Sequence, residues 1–566
     1  MSRMFERPSV WVATATLAAL GAYGIVLGAF FVSDDFSHLA ILGSRGAAGL
    51  WCGGGVFLRP LTSVSLAADH ALWGLQPAFY HVHNVLLHAL CSVLVGVLVH
   101  GLARRSRDPE NERGALRAAV LAAALFLVAP SHAEAVAWVS GRCDLLAALL
   151  ALASLVAWLG WERSRRSVWL VLSAASYAGA LASKESAAAL PLIIGALIRW
   201  RRPAADAERA VRNDALFILP HVAVLGAYLA ARVGLLEHPF RPPGGGLPGP
   251  GAFIETVFID GAKSLLAYWP GWLLGVRGTL RQYDAVTTVV IAFTATAGFL
   301  VARSLFGTQR HRFGQVRFAA LGWILAMLPA ISLPTRLFTS ESDRFLYFPS
   351  AFVAMALAWL VTILAPSRRG WRLAGGALLV LYFGLLQRVN LNWRWAGDTT
   401  RRMVGDAVAD ARETYVAVCV PDNLRGAYVF RNGFAEAVAL FSPPGRAGRA
   451  WALSTIELQH VSDGVEVRER DRIYELHPRG PTAPFMRTGS APPDCVTLTS
   501  SASGAQLRLD DGCTPAARLF VYCEGGLVSL GTCPGPGAAK SSAGSGPHLD
   551  RVGAPTRRDR VARVSA

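Results

Sequence analysis

VWVATATLAALGAYGIVLGAFFV, residues 10–32, carries no charged side chain and runs directly into SDDFSHL, residues 33–39. A helix of that length crosses the ~30 Å hydrocarbon layer of a bilayer. The adjacent carboxyls of Asp34 and Asp35 therefore fall at a membrane–water boundary. Neighbouring acids perturb each other's protonation, which suits a general base or a cation site. The same two residues also read as solvated acids marking a helix end. Arg3 and Arg7 precede the run and no clear small-residue cleavage site follows it, which is the pattern of a retained signal anchor.

Similar apolar stretches recur down the chain. Of 566 residues, 53% are hydrophobic and 16% charged, and the mean hydropathy is +0.38. That composition describes a polytopic α-helical membrane protein. The net charge of +17 comes mainly from Arg in short loops and in an Arg-rich tail, a distribution that argues against nucleic acid as a partner. Spans are predicted near 10–32, 80–102, 118–133, 144–161, 168–182, 185–200, 213–234, 286–303, 316–333, 345–365 and 371–390. With about eleven spans, every strongly basic loop faces the cytoplasm, as the positive-inside rule requires. The stretch SLLAYWPGWLLGVR (264–277) then lies at the interface without crossing, the amino terminus is cytoplasmic and the carboxy-terminal region is extracytoplasmic.

Three regions follow: a membrane core over 1–390, a small extracytoplasmic domain over 391–533, and a disordered tail over 534–566 rich in Gly, Ser, Pro and Arg. Residues 394–412 read as helical. YVAVCV, AYVF, VTLTS, AQLRL and RLFVYC read as short strands between turn residues, giving a mixed or mainly β domain. Cys495, Cys513, Cys523 and Cys533 cluster there. On a translocated domain they read as two disulfides of open pairing, and the absence of a CxxC pair weighs against zinc. Cys91 and Cys143 read as packing residues.

Ionisable side chains beside spans are costly and call for a reason. His81, His83, Asn84 and His88 open the second span. His132, Glu134, Arg142 and Asp144 flank an outer turn. Lys184-Glu185 sit in another, and Glu341, Asp343 and Arg344 precede the tenth span. Interhelical hydrogen bonds account for such residues, and so does ligand contact. Acids and cations gathered at one rim fit an enzyme that joins a lipid phosphate to a polar acceptor. A transporter would hold its charges at mid-depth.

The ordered set SDDF (33–36), LRPLTSVSL (58–66), GLQPAFYHVHNVLLHAL (74–90), APSHAEAVAWVSGRCDLLAAL (129–149), LASKESAAALPL (181–192) and DRFLYFPS (343–350) resembles GT-C glycosyltransferases that use polyprenyl-phosphate sugars. Among them, the chain is similar to the membrane core of the tetratricopeptide-containing transmembrane O-mannosyltransferases and their bacterial relatives. The resemblance implies a GT-C core and an inverting hexosyl transfer, with mannose as the family's sugar. The donor would be a polyprenyl-phosphate sugar and the acceptor a hydroxyl group on a protein Ser or Thr or on a glycan. It also implies a bacterial inner membrane.

The resemblance puts catalysis on the first-loop acids, with Asp35 as base because it lies further from the span and Asp34 as the positioning or metal acid. Arg142, Lys184 and Arg344 are the candidates for the donor phosphate, joined as substrate-binding candidates by Arg59, His81, Asn84, His132, Glu134, Glu341 and Tyr347. A base needs no metal, but the paired acids permit Mg²⁺ or Mn²⁺, and the sequence leaves both open. The chain departs from the family in two places. Cys143 follows the Arg of the SGR motif where a basic residue is frequent, and a cysteine-bearing domain replaces the tetratricopeptide repeats. Transfer to a lipid or envelope glycan, and a non-enzymatic transporter or scaffold, are the alternative readings.

Overall fold

The computed structural model describes residues 8–51, 57–103, 109–201, 207–239, 313–330, 341–409, 414–443, 449–470, 473–479, 486–487, 496–501, 504–509, 517–523 and 525–529. The expected span at 286–303, the interfacial stretch at 264–277, Cys52, Cys495, Cys513, Cys533 and the tail lie outside these residues.

The chain divides into two compact units. One comprises the chain up to Leu27, Arg45–Leu66 and Tyr80–Leu391. The other comprises Gly28–Ser44, Ala67–Phe79 and the chain from Asn392 onward. Two pieces of the first loop, among them the Asp34-Asp35 turn, thus belong with the carboxy-terminal residues.

The first unit is helical. Its principal helices are α1 (Pro8–Tyr23), α4 (Pro77–Ala103), α5 (Pro109–Leu127), α6 (Arg142–Ser164), α7 (Ser167–Ser183), α8 (Leu190–Arg201), α9 (Ala207–Leu235), α10 (Gly314–Met327), α11 (Ser350–Leu364) and the start of α12 (Arg368–Ala409). Helices α2 (Asp34–Arg45) and α3 (Pro60–Trp73) lie in the first loop. Five described helices are long and apolar enough to cross a membrane: Pro8–Gly28, Pro77–Ala103, Val139–Ser164, Phe217–Leu235 and Arg368–Ala409. The pair Glu112–Leu127 and Pro130–Ala137, bent by 48°, makes a sixth if counted as one span. Large aliphatic side chains point outward from such helices, with Val380 75% and Leu17 71% exposed. In water that exposure would be costly, whereas a bilayer solvates it. The protein is therefore integral to a membrane.

Several boundaries differ from the sequence reading. The predicted span 118–133 stops at Leu127. Pro130 then opens a 3-10 turn, and short turns at Ala133–Ala137 and Val139–Gly141 carry the chain into α6. Lys184, predicted in a tight turn, is extended and is followed by the 3-10 turn Glu185–Ala189, so the next helix begins at Leu190. The predicted span 371–390 and helix 394–412 are one continuous helix, since no proline interrupts 368–409.

Close approaches fix the packing. Ser154 and Ser173 exchange hydroxyl bonds to each other's carbonyls at 2.8 Å, and Ser173 meets His221 Nε2 at 2.9 Å, which ties α6, α7 and α9 together. At Gly322 an added Cβ would lie 2.5 Å from Phe352 Cδ1, so α10 meets the face of α11 only through a bare backbone.

The second unit carries two sheets. Strands β1 (Thr414–Leu424), β2 (Ala427–Tyr428), β3 (Arg449–Leu458), β6 (Met486–Arg487), β9 (Ala517–Cys523) and β10 (Gly526–Ser529) form a mixed sheet in the order β10-β9-β1-β3-β6, with β2 paired to β1. β1 runs parallel to both β3 and β9. Val416 through Val420 are all fully buried, as a central strand covered on both faces requires. The connection from β1 to β3 holds helix α13 (Phe434–Phe441). β4 (Gly464–Arg470), β5 (Ile473–Arg479), β7 (Val496–Ser501) and β8 (Gly504–Leu509) form an antiparallel sheet in the order β4-β5-β8-β7. The pieces read from sequence as YVAVCV, VTLTS, AQLRL and RLFVYC are β1, β7, β8 and β9; β3, β4, β5 and α13 were not expected. Among the described residues Cys91, Cys143 and Cys419 are free thiols, and Cys523, the one disulfide candidate described, ends β9. Burial pushes the Cys419 thiol up to about 12 against a lowering hydrogen bond from Ser454, so it is inert at neutral pH.

Gly322→Leu is expected to cost about 1–3 kcal/mol by overpacking against Phe352. Thermal unfolding of the detergent-solubilised protein checks this, and an unchanged midpoint would contradict the packing described.

Candidate functional site

In the helical unit, the sequence-selected cations come with acids attached. Lys184 Nζ lies 2.6 and 2.7 Å from the two carboxylate oxygens of Asp144, and both side chains are 5% exposed. The extended backbone at Lys184 brings its ammonium to the first turn of α6. Arg59 meets Glu185 through two nitrogens, at 3.2 and 2.6 Å, and its guanidinium lies 4.1 Å from the Phe57 ring centroid. Arg344 pairs with Glu134, whose other oxygen accepts the Arg344 backbone N–H at 3.0 Å. Such doubly held pairs are the strong, geometrically defined kind.

Two of these cations share one ring. Lys184 Nζ lies 5.0 Å and Arg344 Cζ 4.8 Å from the Phe345 centroid, and Arg344 is also 5.2 Å from the Trp138 ring. Lys184, Arg344 and Glu134, drawn from three distant motifs, are thus brought together. Cys143 lies between the Lys184–Asp144 and Arg59–Glu185 pairs: its sulfur is 3.8 Å from Arg59 Nη1 and 3.6 Å from Asp144 Oδ2.

Arg142 has a different setting. It is fully buried and donates to Asn84 Oδ1 at 2.9 Å, to the Tyr80 carbonyl at 3.1 Å and to Ser65. Asn84 in turn donates to the carbonyls of Val136 and Trp138. This arrangement clamps α4 to the bent turn before α6. A separate cluster of buried His, Tyr and Ser side chains lies in the same unit. His88 Nε2 faces the Leu127 carbonyl at 2.9 Å, so Nε2 carries the proton and Nδ1 accepts the Tyr347 hydroxyl at 2.7 Å. His132 Nε2 meets Ser350 Oγ at 2.6 Å. His81 and Glu341 are buried in the same unit.

The acid pair is built in the other unit. Ser33 has φ 51°, the left-handed region that non-glycine residues rarely adopt. Its N–H donates to Val429 O at 2.9 Å and its hydroxyl to Asn432 Oδ1 at 2.7 Å. Asp34 and Asp35 open α2, where the helix dipole favours negative charge. Asp35 is 2% exposed, and its Oδ2 accepts the Val32 N–H at 3.1 Å. Asp34 is half-buried, and its Oδ1 accepts a hydrogen bond from Asn432 Nδ2. Of the two carboxylates Asp34 is the more exposed, although Asp35 is further from the span. The helix turn directs Asp35 inward, which sequence distance did not convey. Gly433, at φ 81°, presses against this turn, where a Cβ would clash with Ser33 O. The RNGF stretch (431–434) announces a turn by its Asn-Gly pair, but nothing in it points to Asp34. Among the described residues no three His, Cys, Asp or Glu side chains are placed to hold a metal ion.

No protein-family model matches the chain. The chain is 26% identical over 393 residues to human protein O-mannosyl-transferase TMTC4, covering 60% of this chain and 52% of that protein. It is 34% identical over 185 residues to Drosophila melanogaster protein O-mannosyl-transferase Tmtc1, covering 31% of this chain and 19% of that one. The chain therefore spans about half the length of the first of these relatives and less of the second. Among solved structures, ArnT from Cupriavidus metallidurans bound to undecaprenyl phosphate aligns with TM-score 0.35 and 15% identity, over 82% of this chain and 96% of that one. The chain resembles the TMTC O-mannosyltransferases, as its ordered motifs implied.

Lys184→Met leaves the Asp144 carboxylate buried without its cation and is expected to cost about 3–5 kcal/mol, most of it recovered in Lys184→Met/Asp144→Leu. Unfolding of both variants in detergent tests this. A double variant no more stable than the single would show that the pair is not the source of the cost.

Proposed function

We propose that the protein is a GT-C-type membrane glycosyltransferase that moves a hexose, mannose on the family likeness, from a polyprenyl-phosphate donor to a hydroxyl acceptor such as a protein Ser or Thr. The observation that carries this reading is the resemblance to proteins named as O-mannosyltransferases over 393 residues. The half-buried Asp34 and the cation cluster around Phe345 suit the chemistry. The positive-inside reading of the sequence supports an extracytoplasmic reaction, and the family likeness and Arg-rich composition support a bacterial inner membrane.

In this mechanism Asp34 takes the proton from the acceptor hydroxyl as its oxygen bonds to the anomeric carbon. The bond from that carbon to the phosphate oxygen breaks, the configuration inverts, and polyprenyl phosphate leaves with the electron pair. Within the helical unit, Lys184 and Arg344, held by Asp144 and Glu134, are the candidates for the donor phosphate, since cations lower the cost of charge developing there. Arg59, paired to Glu185, supplies further positive charge. Arg142 and Asn84 position the turn that carries Glu134, and Asp35 fixes the start of α2.

General-base catalysis is worth about 10²–10⁴ in rate. Purified Asp34→Asn is therefore expected to lose at least about 100-fold in transfer of radiolabelled mannose from polyprenyl-phosphate mannose, while still binding the donor. Wild-type rates in both Asp34→Asn and Asp35→Asn would refute the base assignment.

A further inference from the structure

We infer that Asn432, from the carboxy-terminal part of the chain, is a positioning residue for the reacting acid. This rests on the reading of Asp34 as the base. Its amide is held at both ends: the carbonyl oxygen accepts the Ser33 hydroxyl at 2.7 Å, and the NH₂ donates to Asp34 Oδ1. A carboxylate only accepts hydrogen bonds, so the amide cannot be turned the other way without setting its oxygen against Asp34. One lone pair of Asp34 is thereby engaged and the carboxylate loses rotational freedom.

The rest of the loop makes that contact rigid. Arg431 grips the buried Asp422 carboxylate through two nitrogens, at 3.2 and 2.7 Å, and packs 4.6 Å from the Tyr428 ring centroid. Val429 and Phe430 donate their N–H groups to Asp422 O and Pro421 O, both at 2.9 Å, extending the β1–β2 hairpin to the residue next to Arg431. Phe36 stacks on Phe430 with centroids 5.8 Å apart, and Phe30 and Phe36 both pack on Phe441. Gly433 allows the close approach that a side chain would prevent. A loop serving only to cover the turn would need the aromatic contacts. It would not need an amide aimed at the half-exposed acid.

Misplacing a reacting group by about 1 Å costs roughly 100-fold. Asn432→Ala is accordingly expected to lower kcat about 10- to 100-fold with the donor KM within about twofold of wild type. Ser33→Ala, which frees only the far end of the amide, should give a smaller kcat loss of the same kind. A wild-type kcat in Asn432→Ala, or a loss confined to KM, would overturn the proposal. The geometry has its own test. The pair Ser33→Cys with Asn432→Cys, oxidised in native membranes, should give an intrachain disulfide detectable by peptide mass spectrometry, and failure to form it would overturn the contact itself. If the disulfide forms and the wild-type protein transfers no sugar, the contact stands, while the catalytic reading of Asp34 falls and the positioning role with it.

Discussion

The seating of Ser33 on the loop 429–433 is the constraint on which the acid pair depends. A serine at φ 51° costs of order 1 kcal/mol or more unless its surroundings hold it there. Here its N–H and hydroxyl are both used by residues about four hundred positions away, at Val429 and Asn432. The turn sets the first residue of α2, and this decides that Asp35 points inward to the Val32 N–H while Asp34 stays within reach of solvent. A first loop that builds its acids on the carboxy-terminal sheet has exchanged local flexibility for a fixed carboxylate. The chemistry of a general base favours that exchange.

The helical unit faces a second constraint. Taking an ammonium or guanidinium out of water is expensive, and the buried cations of this unit would not persist there alone. Each is given a carboxylate: Asp144 for Lys184, Glu185 for Arg59, Glu134 for Arg344. The pairs come from turns that break the helices at Pro130, at Lys184 and at Asp343, where the backbone leaves helical geometry and lets side chains converge. Cys143 occupies the gap between two pairs without adding charge. A basic residue at that position would add a cation beside Arg59 and Lys184, which is a physical reason for the departure from the resembled family.

The helical class was legible because lipid-facing stretches need only length and apolarity, both local properties. The helical stretch Pro8–Gly28, read four residues too long at its end, and the helix Pro77–Ala103 were visible on that basis. Strand β1 was legible for the same kind of reason, as an unbroken apolar run. Residue types at the site were legible too: Lys184, Arg344 and Glu134 stood out as charges beside spans. Their pairings were not, since Arg344 and Glu134 lie 210 positions apart and only the fold joins them. The continuous helix Arg368–Ala409 was hidden by Arg388, Arg394 and the other charges in its second half, which read as the end of a span although nothing there breaks a helix. Asn432 was invisible as a site residue because its meaning comes wholly from a partner at Asp34.

The central claim is direct transfer of a sugar from a lipid phosphate with a carboxylate as base. The stereochemistry of the product tests it most directly. Wild-type protein would be incubated with anomerically pure polyprenyl-phosphate mannose and a Ser/Thr-bearing acceptor, and the new glycosidic bond analysed by mass spectrometry and NMR. One hexose added per event, with inverted anomeric configuration and one polyprenyl phosphate released, is the expected result. Retained configuration, or flux of the donor without any new glycosidic bond, would contradict it.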